Sequence, residues 1–581
     1  MIDNFSELLQ FSAYGGELIL EDVKGTSGGG LVLENAVKTT DGIDRDMYAY
    51  VPKTGCPHDK LTQVFMVLRN CACRESAEET MHTYKLDELA EKYHIILLFP
   101  NPAEGGWNYR EESGRENDIQ YLQRCFAALP KSKGGVIGFN GMINYLGVDA
   151  ESSAMLMTMA AQSPLDTSAV MVGNFPEDYT IPAGRNAQQA GWVYEGNSTA
   201  WNYLNAVNAQ EYFGKENIIS GYTEEALSAA LIDDVYDRMF SETRRWRNDT
   251  YGLYQPRIDF EAEGFVKHVD DDSLGDNNSF KHTWYEYIPE KLRNTEEKAP
   301  LLFYLHGLDC TALYGAEQSG WSRIADREGF IVVYPNPSIE ERWNIWDDSR
   351  IPSDVEYIMA LIDHMKEVHP IDESRIYISG FSMGSMFTNA LACAYPDIFA
   401  GAVAMNGPNW GYHQTLEDSR RSMVMMHPQS ILKDIADTEE TVSMIRSVSD
   451  AKKAAYDFRI PFVQFVGQQD FIGLNGCRFP VKKREDGSWT ETIEDWVRFS
   501  GRKDYVLGFS EETPTGYASD TCERIGERFI EQTWKNDAGE TLYHFITVER
   551  MGHAVDWRNT EIGWNIIKAY RRNRDGSLRR I

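Results

Sequence analysis

The chain has 581 residues, 89 acidic against 57 basic, for a formal net charge of −32. A content of 42% hydrophobic and 12% aromatic residues excludes a disordered chain, and at roughly 100–200 residues per domain the length calls for more than one core. The acid excess repels phosphates and anionic lipid, so no nucleic-acid and no membrane partner is expected.

The chain opens on Met1-Ile-Asp-Asn-Phe-Ser, with no basic segment followed by an apolar one, and its eight cysteines follow no regular framework. The expectation is a reducing, cytoplasmic setting. Gly25-Thr-Ser-Gly-Gly29 has the pattern G-x-S-x-G, but strand-like segments flank it and it reads as a hairpin turn. Cys71 and Cys73 have no Cys/His pair downstream, so no metal site is expected. The longest apolar runs, such as Ile95–Phe99 and Phe330–Tyr334, have the length of strands and not of membrane spans.

Landmarks then return in order at a nearly constant shift. Tyr50-Val-Pro52 is answered by Tyr287-Ile-Pro289, Val67-Leu-Arg-Asn70 by Tyr304-Leu-His-Gly307, and Cys73 by Cys310. Phe99-Pro-Asn-Pro102 returns as Tyr334-Pro-Asn-Pro337, and Trp107-Asn108 as Trp343-Asn344. Asn117-Asp-Ile-Gln120 returns as Ser353-Asp-Val-Glu356, each shaped as a capping box. A period this long is that of a duplicated domain, not a solenoid repeat. The expected domains are residues 1–255 and 256–581.

In the second domain Leu301–Leu305, Phe330–Tyr334, Arg375–Ser379, Gly401–Met405, Phe462–Val466 and Leu542–Val548 read as strands. Val355, Ile358, Met359, Ile362 and Met365 form the apolar face of a helix that Ser353 would cap. Alternating strands and helices predict a mostly parallel α/β sheet flanked by helices, with its site beyond the strands' carboxyl ends.

Strand Arg375–Ser379 runs into Gly380-Phe-Ser-Met-Gly384 and a helical stretch, Ser385–Tyr395. This strand–turn–helix setting makes the motif a nucleophile elbow, with Ser382 lifted above the sheet. A serine needs a base and the base needs an orienting acid. His553, in a glycine-hinged loop, is the base chosen, since His544 lies inside a strand. Asp470, in Gly467-Gln-Gln-Asp470 after a strand, is the acid, with Asp556 in reserve. The Met383 and Leu308 N–H groups are the expected oxyanion donors. His306 reads as a brace of the oxyanion loop or a substrate contact, and Trp343 and Trp346 as pocket lining or loop packing.

The second domain resembles the polyhydroxybutyrate depolymerase and feruloyl esterase family of the α/β-hydrolase superfamily. Tyr287-Ile-Pro289, Leu305-His-Gly307, Gly320-Trp-Ser, Ala325–Pro335, Gly380–Gly384, Gly467-Gln-Gln-Asp470 and Gly552-His553 carry the resemblance. It implies two tandem α/β-hydrolase domains and a Ser382–Asp470–His553 triad. It also implies a serine ester hydrolase that acts on small-molecule or oligomeric esters without cofactor or metal. Peptidase or acyltransferase action on the same triad, and an inert scaffold, stand as alternatives. The stretch Phe471-Ile-Gly-Leu departs from the family's pattern, which bears on the substrate. In the first domain Arg69-Asn70 replaces the histidine-glycine pair, and either Asn140 or Ala150 takes the nucleophile's place. That domain is expected to be inert and kept for packing, substrate access or homo-oligomer formation. The inserts Asn409–Arg459 and Phe471–Glu540, with Trp410, Tyr412, Trp489 and Trp496, are lid candidates. The basic tail Arg571–Arg580 reads as a solvated helix end.

Overall fold

Runs such as Val64–Leu68 and Ile331–Pro335 are apolar at every position, a pattern that suits a strand covered on both faces. They lie inside two sheets. The computed structural model describes residues 32–38, 44–50, 52, 63–110, 118–128, 143–185, 187–209, 220–245, 252, 254, 258–270, 282–308, 310–338, 343, 346–347, 354–407, 442–443, 459–470, 480–483 and 489–581. Its two units are Met1–Ile258 and Asp259–Ile581.

The first unit contains β1 (Val32–Lys38), β2 (Asp44–Tyr50), β3 (Val64–Leu68), α1 (Arg74–Thr83), α2 (Leu86–Tyr93), β4 (Ile96–Pro100) and α3 (Asp118–Ala128). β5 (Ile143–Gly147), α4 (Ala150–Gln162), β6 (Ala169–Val172), β7 (Ala190–Val193), α5 (Ser198–Asn208), β8 (Ser220–Tyr222) and α6 (Ala229–Val235) follow. The sheet order is β1-β2-β4-β3-β5-β6-β7-β8, with β1 and β2 antiparallel at one edge and parallel pairing from β4 onward.

The second unit begins with β9 (Phe265–Asp270), β10 (His282–Tyr287), β11 (Ala299–Leu305), α7 (Ala312–Ser319), α8 (Trp321–Glu328), β12 (Ile331–Pro335) and α9 (Asp354–Val368). β13 (Ile371–Phe381), α10 (Met383–Ala394), β14 (Phe399–Met405), β15 (Phe462–Gly467) and α11 (Thr492–Phe499) come next. β16 (Thr521–Arg524), β17 (Phe529–Lys535), β18 (Thr541–Val548) and α12 (Arg558–Ile567) complete it. Its order is β16-β17-β18-β15-β14-β13-β11-β12-β10-β9. The stretch from β12 to β18 is parallel, with antiparallel strands at both edges. Read from β9, eight strands repeat the order of the first sheet. This is a mostly parallel α/β architecture, and each strand expected in the second domain lies in the sheet.

Helix α9 buries Val355, Ile358, Leu361, Ile362 and Met365 against that sheet. Its capping residue Ser353, the counterpart Asn117, and the Gly25–Gly29 motif lie outside the described residues, as do Trp410, Tyr412 and Asn140. Trp496 belongs to the core, stacked on Phe462 with ring centroids 3.7 Å apart.

The C-terminal tail departs from the helical reading. Tyr570–Arg572 and Leu578–Arg580 pair as a hairpin around the Asp575-Gly576 turn, where Gly576 takes φ +84°. Arg572 is buried and donates to the carbonyls of Phe399 at 2.8 Å, Arg459 at 2.6 Å and Gly576 at 3.3 Å. Three carbonyls in one place match the fixed fork of guanidinium donors. Desolvation pushes Arg572 down to about 9.

Candidate active site

The central strand β13 ends at Phe381, and α10 begins at Met383. The single residue between them, Ser382, has φ 54° and ψ −117°, a backbone that side-chain-bearing residues rarely adopt. The surroundings enforce it. Ser382 N–H donates to the Met405 carbonyl at 2.9 Å, and the Ser382 carbonyl accepts from Met386 N–H at 3.1 Å. A Cβ on Gly380 would strike the Gly384 carbonyl, and one on Gly384 would strike the carbonyls of Leu305 and His306. Both motif glycines are therefore required by backbone contact.

His553 comes from the loop after β18. Its Nε2 lies 2.8 Å from Ser382 Oγ, and its Nδ1 lies 2.9 Å from Asp470 Oδ2. A carboxylate only accepts, so Nδ1 carries the proton and Nε2 presents its lone pair to the serine hydroxyl. Asp470 is 1% exposed, and its N–H donates to the Gly467 carbonyl at 2.9 Å in the turn after β15. The imidazole packs beside Phe381, with centroids 4.8 Å apart.

Two loops must hold their spacing for this line of atoms to persist. Gln468 N–H donates to the Val548 carbonyl and Gln469 N–H to the Met551 carbonyl, both at 2.8 Å. Arg550 N–H donates to Gln468 Oε1 at 3.1 Å. Asn406, just past β14, adds a clamp. Its Oδ1 accepts from Gly467 N–H at 2.7 Å, while its Nδ2 donates to the Ala554 carbonyl. Asn406 is fully buried, with φ 54°. Sequence reading missed it, although an Asn-Gly pair closing a central strand was a visible signal. Gly407 belongs to the same corner, because a Cβ there would strike the Ser382 carbonyl.

The other proposed residues take distinct places. Met383 opens α10, whose first turn has no side-chain cap, so its N–H is one of the helix's free terminal donors. Leu308 lies in the loop after β11, which passes beside the serine: a Cβ on Gly307 would sit 3.2 Å from Ser382 Cβ. His306 is fully buried, with Nδ1 2.8 Å from the Gly307 carbonyl, and burial lowers it to about 4. Trp343 is also fully buried, its indole N–H donating to the His306 carbonyl at 2.8 Å. Both residues lie beneath the loop and brace it, with no surface left for a substrate. Trp346 pairs through its backbone with Ser443, and its side chain lies outside the described residues. Asp556 is engaged by Arg558 Nε at 2.9 Å and by buried Arg528 at 3.6 Å. His544 Nδ1 lies 2.8 Å from Glu531.

In the first unit the register settles what the sequence left open. Leu68 pairs with Gly147 where Leu305 pairs with Gly380. Two residues beyond each glycine stand Asp149 and Ser382, so Asp149, not Ala150, occupies the nucleophile's place. Its Oδ1 accepts from Ser152 N–H at 2.9 Å and its Oδ2 from Asn70 N–H at 2.8 Å. The Trp107 indole donates to the Arg69 carbonyl at 3.1 Å, as Trp343 does to that of His306. A cavity of about 400 Å³ remains, lined by Arg69, Asn70, Cys71, Asp149 and Glu151 among others.

Residues 284–447 match the family model described as esterase PHB depolymerase. The chain is 39% identical over 280 residues to poly(3-hydroxyalkanoate) depolymerase C of Paucimonas lemoignei, covering 47% of this chain and 58% of that one. It is 30% identical over 158 residues to a bifunctional acetylxylan esterase/xylanase of Neocallimastix patriciarum, covering 27% and 22% of the two. It is 31% identical over 128 residues to feruloyl esterase B of Neurospora crassa, covering 21% and 43%. The chain thus spans between about a fifth and three fifths of the length of these relatives.

Proposed function

We propose that the chain, whose second unit is similar to PHB depolymerase esterases, hydrolyses carboxylic esters through a Ser382 acyl-enzyme. The observation that carries this reading is the continuous line from Ser382 Oγ through His553 to Asp470. His553 Nε2 takes the hydroxyl proton as Oγ attacks the ester carbonyl, and Asp470 holds the tautomer and offsets the imidazolium charge. The Met383 and Leu308 N–H groups receive the oxyanion. The imidazolium then protonates the departing alcohol. A water deprotonated by the same nitrogen releases the acid and restores the serine. Polyesters of 3-hydroxyalkanoates, acetylated xylan and feruloyl esters are the substrate classes to try first, after these relatives.

We also infer that the first unit is a duplicate of the second that has lost the reaction, a reading supported by the shared strand order and by Asp149. Replacing Ser382 with alanine is expected to lower p-nitrophenyl butyrate turnover by about four to six orders of magnitude, and to abolish labelling by a fluorophosphonate. Labelling without ester turnover would favour a peptidase or acyltransferase. A wild-type chain that neither turns over esters nor labels would be the inert scaffold.

A further inference from the structure

Two thiols of the first unit stand close together, and one of them, Cys71, lines the cavity. Cys71 is exposed, Cys73 half-buried, and their sulfurs lie 3.7 Å apart. Chain geometry explains the contact. Cys73 has extended backbone, φ −142° and ψ 161°, and in extended chain alternate residues point the same way. Cys73 is pinned from three sides. Its sulfur accepts from Ser76 N–H at 3.4 Å as the N-cap of α1, its carbonyl accepts from Arg69 Nη2 at 3.1 Å, and that carbonyl also accepts from Ala77 N–H at 3.3 Å. Cys71 lines the cavity and its thiol is open to a reagent.

We propose that Cys71 and Cys73 form a reversible dithiol–disulfide site that exchanges with low-molecular-weight disulfides of the glutathione class. The Cys71 thiolate attacks one sulfur of the incoming disulfide, forming a mixed disulfide and releasing one glutathione thiolate. The Cys73 thiolate then attacks Cys71 Sγ, closing the internal bond and releasing the second glutathione. Two protein thiols are oxidised, one disulfide is reduced to two thiols, and the two protons pass to the released glutathiones. The bond closes a ring spanning a single intervening residue, and a strained, exposed disulfide is the labile kind. The fold offsets part of that strain by holding the sulfurs together before the bond forms. None of this depends on the esterase reading.

The test uses the full chain equilibrated in mixtures of oxidised and reduced glutathione, quenched with acid, alkylated and cut with trypsin. Cleavage after Arg69 and Arg74 isolates Asn70-Cys-Ala-Cys-Arg74, which holds this pair and no other cysteine. The expected product is that peptide, two hydrogens lighter and unalkylated, at an equilibrium constant about tenfold or more above that of the chain in concentrated urea. Cys73→Ser should stop at a glutathione adduct on Cys71, and Cys71→Ser should leave Cys73 largely unmodified. A peptide doubly alkylated at every glutathione ratio would overturn the proposal. So would an unresolved adduct in the wild type, absence of the adduct in Cys73→Ser, or equal constants in folded and unfolded chain.

Discussion

At the scale of single residues, Ser382, His553 and Asp470 were legible because each follows a strand end in a short, glycine-marked turn. Asn406 was not, because its role lies in what its amide joins and not in its own chemistry. It ties Gly467, before the acid, to Ala554, after the base. Asn406→Leu should therefore lower kcat by about 10²-fold with KM nearly unchanged, as steady-state kinetics would show. An equal rise in KM would mean that the substitution acts by general disorder. Asp470→Asn should cost about 10⁴-fold in kcat, because an amide can donate to Nδ1 and so favour the wrong tautomer. Full activity in Asp470→Asn would point instead to Asp556.

His306 gives a pH dependence whose sign follows from its burial. Desolvation holds it at about 4 against 6.5 for an ordinary histidine, so below pH 6.5 the unfolded chain binds a proton that the folded chain refuses. Its contribution is unchanged above 6.5 and is lost as pH falls towards 4, by about 3 kcal/mol in all. In His306→Asn the amide can still donate to the Gly307 carbonyl, but the titration is gone. Urea melts at pH 7 and pH 4.5 should show a steeper acid loss in the wild type than in this variant.

At the scale of elements, the strands were readable because burial on both faces leaves an unbroken apolar run, as in Leu301–Leu305. The C-terminal hairpin was not. A sequence with five arginines within residues 571–580 looks solvated, and only the fold reveals that Arg572 faces three backbone carbonyls. The elbow is the element where local rules yield to function: strand, strained serine and helix leave no room at Gly380 or Gly384. Gly384→Ala is expected to destabilise the second unit by about 3 kcal/mol, since the methyl meets two backbone carbonyls and no flexible side chain can move aside. A thermal melt within a degree of the wild type would show that the turn relaxes.

At the scale of the whole chain, the landmarks repeat in order and the two sheets share a strand order, but counting landmarks could not fix which residue of the first unit stands where Ser382 stands in the second. Counting from Pro164 gave Ala150, because α4 has 13 residues where α10 has 12, with one residue before the proline in each case. Strand register has no such ambiguity and points to Asp149. The carboxylate there accepts the Asn70 and Ser152 amides. An anion at a helix N-terminus and two charge-assisted hydrogen bonds stabilise the unit, while a carboxylate cannot form the acyl-enzyme that a serine forms. The last prediction follows. Full-length Ser382→Ala should show no fluorophosphonate-labelled serine at all, and adding Asp149→Ser should not restore labelling. The double variant should instead melt earlier in the first unit, because a hydroxyl retains the cap but loses the charge. Labelling of any first-unit serine in Ser382→Ala would mean that this half has kept a reaction of its own.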